Sequence, residues 1–275
     1  MAGHLARAGF DLRVYNRTSS KAKAWVAEYG GERAGTPAEA VEDADFVFVC
    51  TGNDEDLRSI TLGEAGAFPV VKRAACFVDH TSTSAQIARE LAAEASRRGF
   101  GFLDAPVSGG ESGAIDGVLT VMAGGDEAAF ATAEPLLAHY AKKVMHLGAS
   151  GSGQLTKMVN QICIAGLVQA LAEGLHFAQR VGLDATRAVE AISQGAAQSW
   201  QMEHRAESML EGKFDFGFAV DWMRKDVANT LAEARRAGAK LPVTALVDQF
   251  YAALQARGGG RLDTSSLLEL LEPRA

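Results

Sequence analysis

The chain has 275 residues, 48% of them hydrophobic and 22% charged, a balance that fits a soluble globular protein of one large or two ordinary domains. Its net charge of −7, with no basic block or aromatic-basic stripe, argues against a nucleic-acid groove or an anionic membrane surface as partner. Three scattered cysteines, Cys50, Cys76 and Cys163, form no C-x-x-C pair; this argues against a disulfide scaffold and a metal site, and makes a reducing compartment, the cytoplasm, the expected location.

In chain order, "MAGHLARAG" places Met1, Leu5 and Ala8 on one helical face and ends at a glycine, and "FDLRVYN" alternates like a strand. "SSKAKAWVAEYGG" reads as a helix closed by Gly30 and Gly31. "TPAEAVEDA" carries Thr36 as N-cap, Pro37 at the first helical position and Glu39 completing a capping box. The strand "DFVFVC", a helical turn around "DEDLRSI", the strand "ACFVD", the helix "SAQIARELAAEASRRG" and the strand "GFLDAP" follow. "GVLTVMAGG", "DEAAFATAEPLLAHYA" and "KKVMHLG" then complete an α/β domain ending at Gly148. Strands this apolar, alternating with helices, predict a parallel sheet covered on both faces.

Beyond Gly148 the pattern changes. No proline occurs from Ser152 to Arg180, which predicts one helix of about seven to eight turns. It is apolar over most of its circumference between Ile162 and Leu175, so one face is expected against this chain's own helices and another against a second subunit or the first domain. The segments "DATRAVEAIS", "SWQMEHRAESML", "VDWMRKDVANTLAEARRAG", "PVTALVDQFYAALQARG" and "TSSLLELLE" are all helical in pattern. The expected fold class is α/β, a Rossmann-type dinucleotide-binding domain over residues 1–148, followed by an all-α domain over 149–275.

Four places carry candidate chemistry. At the end of what reads as the second strand of a dinucleotide-binding fold, Asn16, Arg17 and Thr18 stand where such folds usually hold a carboxylate for the ribose; neutral and cationic donors there favour NADP(H), with NAD(H) as the alternative. In isolation the same residues also read as a solvated turn. "DAPVSGG", Asp104 to Gly110, ends a strand in a turn whose amides and Ser108 hydroxyl can hold a carboxylate, or simply needs glycine for its φ angles. "GASGSGQLTKMVNQ" is a weak phosphate motif, but Lys157, Asn160 and Gln161 share one helical face near an N-terminus, where the dipole disfavours a lysine's charge. In "VDWMRKDV", Lys225 and Asp226 sit among apolar residues, as a snorkelling lysine with a local ion pair would.

These four places occur together in one family. "FLDAPVSGG" with "LTVMAGG" after it, and "GSGQLTKMVNQ", resemble the substrate-binding and catalytic signatures of the β-hydroxyacid dehydrogenases, a group containing 3-hydroxyisobutyrate dehydrogenase, tartronate semialdehyde reductase and the glyoxylate/succinic semialdehyde reductases, and more distantly related to 6-phosphogluconate dehydrogenase. The resemblance covers essentially the whole chain. It implies that Lys157 is the general acid and base, that Ser108, Gly109 and Gly110 hold the substrate carboxylate, and that Asn160 or Gln161 orients the substrate. It further implies that Lys225 closes over cofactor and substrate, that Thr51 and Gly52 lie beside the nicotinamide ribose, and that Ser82 lies near the nicotinamide. Most members read Leu-Pro where this chain reads Thr51-Gly52. The implied activity is NADP(H)-dependent hydride transfer to a small carboxylate-bearing oxo acid or semialdehyde, in a homodimer or homotetramer. The rival readings are an NAD-dependent 3-hydroxyisobutyrate or L-serine-type dehydrogenase, and a catalytically impaired binding protein. The last rests on the opening stretch. The resemblance implies that "MAGHLARAG" is the helix after the family's first strand, so a strand and a G-x-G-x-x-G turn of about 15 residues are expected in a longer parent. Trp200, Phe216, Phe218 and Trp222 are candidate pocket walls.

Overall fold

Apolar runs separated by amphipathic segments build the first half of the chain from α1 (Ala2–Arg7), β1 (Arg13–Val14), α2 (Ser19–Tyr29), β2 (Glu32–Arg33), α3 (Pro37–Val41), β3 (Phe46–Val49), α4 (Asp54–Leu62), β4 (Cys76–Asp79), α5 (Ala85–Arg98) and β5 (Gly101–Asp104). It continues through β6 (Val107–Ser108), α6 (Gly110–Asp116), β7 (Leu119–Gly125), α7 (Glu127–Leu137) and β8 (Ala141–His146) into α8 (Ser152–Arg180). The computed structural model describes residues 1–271 and divides inside α8 into two compact units, residues 1–157 and the residues from Met158 on.

In the first unit β3, β4 and β5 are parallel, in the register Val47↔Phe77↔Phe102. All four residues of β4 are buried. On one face Phe68 meets Phe77, Phe100 and Phe102 edge to face with ring centroids 5.0–6.4 Å apart, pairs worth about 0.5–1.5 kcal/mol each beyond their buried area. Leu103, Leu119, Val121, Leu137 and Tyr140 fill the other face, joined by Leu5 of α1.

The sheet is mixed rather than parallel throughout. β7 runs antiparallel to both β5 and β6, and β8 is parallel to β7. The connection between β5 and β7 explains this: at about 1.5 Å per residue α6 spans only about 10 Å, too short to carry the chain back along a strand of about 23 Å and start it again in parallel. Glycines in "PVSGGESGAID" conceal β6 and α6 from a reading by periodicity. β1 pairs with β2 alone, in parallel, with Val14 opposite Arg33. Among the described residues no ladder joins β1 to β3. At α3, Thr36 accepts the Glu39 amide at 3.1 Å as expected, but the Glu39 carboxylate takes the amide of Gly35, one residue before the N-cap.

In the second unit α8 runs on and is followed by α9 (Ala185–Ile192), α10 (Trp200–Leu210), α11 (Val220–Ala237) and α12 (Pro242–Ala256). By length and apolarity alone α8 could cross a bilayer, with a mean hydropathy of 1.3 over its best window. Here Ala165, Val168, Leu171, Ala172 and Leu175 instead form one core with Met209, Met223, Val227 and Tyr251. "TSSLLELLE" is 3₁₀ over Thr264–Leu270, and its last residue lies outside the described residues. The fully buried Asp263 accepts the amide and hydroxyl of Ser265, and Ser266 bonds the Asp263 carbonyl; such local bonds compete with α-helical pairing.

The start of α8 is pressed against the backbones of β5 and β7. A Cβ on Gly153 would overlap the carbonyl oxygens of Asp104 and Met122, and one on Gly124 would lie 2.7 Å from the Gly153 nitrogen. Gly153→Ala is therefore expected to destabilise the protein by about 3 kcal/mol or more, as overpacking against unyielding backbone does. Chemical denaturation checks this; an unchanged midpoint would mean that the helix start can slide.

Candidate active site

Asp104 ends β5 and is completely buried. Its Oδ1 accepts the Gly151 amide at 2.7 Å and its Oδ2 the Gln154 amide at 2.9 Å, so the chain's own carboxylate occupies the positive end of α8. Burial pushes its pKa up to about 6, against the downward pull of those amides. The glycine-rich stretch "GASGSG" is thus a close-packed capping turn whose amides serve Asp104, which accounts for its poor match to a phosphate loop.

Three residues after Asp104 the same segment meets α8 again. Lys157 donates from Nζ to the carbonyl oxygen of Val107 at 2.9 Å. Ser108 follows in β6, paired with Thr120, and Gly109 and Gly110 turn the chain with φ of +133° and +66°. The predicted lysine and the predicted carboxylate cradle are therefore brought together, with glycine where positive φ demands it. Below this turn the buried His80 bonds the Ala105 carbonyl through Nδ1 at 2.6 Å and the Tyr140 hydroxyl through Nε2 at 2.7 Å. A carbonyl only accepts, so Nδ1 carries the hydrogen and Nε2 receives the tyrosine's. Burial lowers the His80 pKa to about 4, keeping the ring neutral.

The carboxyl ends of β3 and β4 are tied to α8 as well. The Thr51 amide donates to Thr81 Oγ1 at 2.9 Å, the Thr81 carbonyl accepts Gln154 Nε2 at 2.7 Å, and the Thr83 amide donates to Gln154 Oε1 at 3.0 Å. Gly52 and Ser82 are half-buried in these same two loops. The buried Asp79 takes the Thr81 amide on Oδ1, while its Oδ2 and Thr83 Oγ1 have no protein partner. At the end of β1, Asn16 Oδ1 accepts the Thr18 amide, and the exposed Arg17 pairs with Asp56 at 3.1 Å. The pairing of β1 with β2 adds Arg33, whose guanidinium bonds Ser19 Oγ at 3.1 Å. Donors at the end of β1 together with strand-end loops fit a nicotinamide dinucleotide.

Within the second unit Gln161 is buried. It donates from Nε2 to Asp226 Oδ2 at 2.7 Å and accepts from Asn160 Nδ2 on Oε1 at 2.8 Å. Lys225 pairs with the other oxygen of Asp226 at 3.1 Å, and its ammonium lies 5.9 Å from the Trp222 ring centre. Arg205 lies over Trp200 and over Phe216, at 5.1 and 5.0 Å from their ring centres, while Phe218 packs against the helical core; these three aromatics have structural contacts of their own.

Residues 1–148 match the family model described as the NAD-binding domain of 6-phosphogluconate dehydrogenase. Residues 151–271 match the one described as NAD-binding of NADP-dependent 3-hydroxyisobutyrate dehydrogenase. The chain belongs to the β-hydroxyacid dehydrogenase family. This NAD(P)-dependent oxidoreductase is 58% identical to an uncharacterized oxidoreductase of Shewanella frigidimarina, covering 99% of this chain and 94% of the relative. It is 34% identical to the 2-hydroxy-3-oxopropionate reductase of Escherichia coli, covering 99% and 92%. It superposes on the structure of Mycobacterium tuberculosis 3-hydroxyisobutyrate dehydrogenase with L-serine at a TM-score of 0.88 and 28% identity, covering 99% and 94%.

The Lys225–Asp226 ion pair was expected from the sequence, whereas Asp104, Gln154, Asp79 and His80 were not visible as site-building residues in the dehydrogenase sequence; only their burial at strand ends and at a helix start reveals them. Burial raises the Asp79 pKa from 3.8 to about 7. A carboxyl whose folded pKa is raised contributes stability below its unfolded pKa that is lost as pH rises through the folded value. Asp79→Asn, which removes the charge, should therefore gain in melting temperature relative to the parent between pH 5 and pH 8 on a scale set by about one buried carboxylate. Parallel melting curves at the two pH values would refute this.

Proposed function

We propose that the enzyme reduces a small 2- or 3-oxo acid or semialdehyde with NADPH, Lys157 donating the proton. The observation that carries this reading is the 2.9 Å bond from Lys157 Nζ to the Val107 carbonyl, which holds the ammonium beside the Ser108–Gly110 turn. Ser108 and the amides of that turn bind the substrate carboxylate, and Lys157 meets the carbonyl oxygen at the other end of a short substrate. Reduced nicotinamide supplies the hydride. Asn160, three residues after Lys157 on the same helix, donates to the developing alkoxide, where a preorganised donor contributes most. In oxidation Lys157 acts as the base. Lys225 adds a cation to the anionic ligands.

The absence of a carboxylate at Asn16–Arg17–Thr18 and the presence of Arg33 beside Ser19 support the choice of NADPH. Exposed Val159, Leu167 and Phe177 along α8 support a homodimer or homotetramer, and the three scattered cysteines with no C-x-x-C pair support a cytoplasmic location. The L-serine in the tuberculosis structure favours, as a second reading, an NAD-dependent dehydrogenase of L-serine or a related β-hydroxy acid.

Steady-state assays with glyoxylate, succinic semialdehyde, tartronate semialdehyde and methylmalonate semialdehyde, each with NADPH and NADH, separate the two readings. Lys157→Ala is expected to lower kcat by about 10²–10⁴-fold, the usual contribution of a general acid, with cofactor affinity nearly unchanged. Equal loss of both would make the lysine structural. Arg17→Asp should shift the preference from NADPH towards NADH; an unshifted ratio would move phosphate recognition elsewhere.

A further inference from the structure

Three carboxylates follow the carboxyl ends of β3, β4 and β5, and they are not equally bonded. Asp104, at the end of β5, has an amide on each oxygen, from Gly151 and from Gln154. Asp54, at the start of α4, takes the Ser84 amide on Oδ1 at 2.9 Å and the Ser84 hydroxyl on Oδ2 at 2.5 Å. Asp79, at the end of β4, stands opposite Asp104 in the parallel register, has no exposure to water and is bonded on Oδ1 alone. The charged groups that bear on it are Asp104 and Asp54, both anionic, while His80 beside it in sequence is neutral. β3 opposes it with Val49, and α8 ties the loop after it through the uncharged Gln154. A proton shared among like charges settles on the carboxylate with the fewest donors, which is Asp79. Burial, against the downward pull of Thr81 and with a further push from the two carboxylates, brings its pKa to about 7.

The donors at the end of β1 receive the adenosine side of a dinucleotide, and Lys157 and its turn follow β5. The ring that exchanges hydride therefore lies over the carboxyl ends of the strands between them, where β4 stands between β3 and β5. Oxidised nicotinamide carries a positive charge and reduced nicotinamide carries none. We propose that Asp79 reads this difference: the oxidised cofactor favours its ionised form and the reduced cofactor its protonated form, so binding of the oxidised cofactor releases a proton that binding of the reduced one does not. Its effect is electrostatic, and it touches no reacting atom. The size follows from Coulomb's law. Asp79 is three residues from Ser82, a span of at most about 11 Å, and over about 10 Å at an effective dielectric of about 20 two unit charges interact by about one pH unit. In the reducing direction the spent cofactor leaves more readily as pH falls. The inference rests on the hydride transfer proposed above for the position of the ring, and on neither the substrate nor the acid.

Titration calorimetry on the full chain measures both sides of this linkage. The oxidised and reduced forms of whichever cofactor pair binds more tightly, NADP(H) or NAD(H), are titrated at pH 6, 7 and 8, without substrate and in two buffers of different ionisation enthalpy. The readout is the ratio of the two dissociation constants, because a 2′-phosphate titrates in both forms and cancels. Kd for the oxidised form relative to the reduced form should fall about fivefold from pH 6 to pH 8, the change that a coupling of about one pH unit gives. Between pH 6 and pH 7 the oxidised form should release about half a proton more than the reduced form. A ratio that does not move with pH, or equal proton counts for the two forms, overturns the proposal on the parent protein alone. In Asp79→Asn the ratio should become independent of pH; a retained fivefold change assigns the titration to another group. Lys157→Ala should keep the full dependence, and its loss there would make the lysine the coupled group. A merely structural role for Asp79 would move both constants together and leave the pH dependence of their ratio intact in Asp79→Asn. Absence of turnover with every oxo acid would sink the proposed function, and the binding constants would still decide the linkage.

Discussion

The buried carboxylate of Asp104, clasped by the amides at the start of α8, is the interaction on which the first unit of this dehydrogenase depends. It joins a strand end to a helix start at the one point where β5, β7 and α8 converge, and it does so inside a space from which Gly124 and Gly153 exclude even a methyl group. Burying a carboxylate is costly, and the amide dipoles at the start of a long helix are the compensation the fold provides. The same short segment then delivers Val107 to Lys157 and Ser108–Gly110 to the turn beyond, so the position of Lys157 relative to that turn is set within a few residues of that clasp.

Around this clasp the strand ends are held by polar groups that face inward. Gln154 ties the loop after β4 from both its amide atoms, and His80 supports Ala105 from beneath while Tyr140 completes its bonding. Each is buried and paired, which makes them specific as well as stabilising: a displaced loop would strand several donors at once. Asp79 is the exception, with one oxygen unpaired and a pKa pushed up to about 7 by burial. Sites of this kind concentrate at functional clefts.

Much of the architecture was legible in the amino-acid order because it is written in short-range patterns. The apolar runs of β4 and β5 announce strands buried on both faces, that of β3 announces a strand although only Val47 in it is buried, and the proline-free stretch from Ser152 to Arg180 announces α8. The direction of β7 was not legible, because it follows from the length of a connection whose two elements are hidden by glycines. The site divided in the same way. Lys157 and the Ser108–Gly110 turn stand in recognisable motifs, but the groups that hold them act across distance: Asp104 meets its amides 47 and 50 residues later, and Gln161 meets Asp226 after 65. Arg33 reaches the start of α2 only because β1 and β2 pair in parallel. No local pattern encodes such encounters.

A helix end is ordinarily where a folded chain opens first, since its outermost amides exchange with solvent through fraying. At α8 that order is reversed. The amides of Gly151 and Gln154 are locked onto a side chain with no exposure to water, so hydrogen exchange there requires the strand and the helix to part together. The second turn of α8, which carries Lys157, consequently moves with the centre of the sheet. The Lys157 side chain is thus anchored like a core strand, while the exposed Arg17 at the end of β1 keeps the looser motions of a surface.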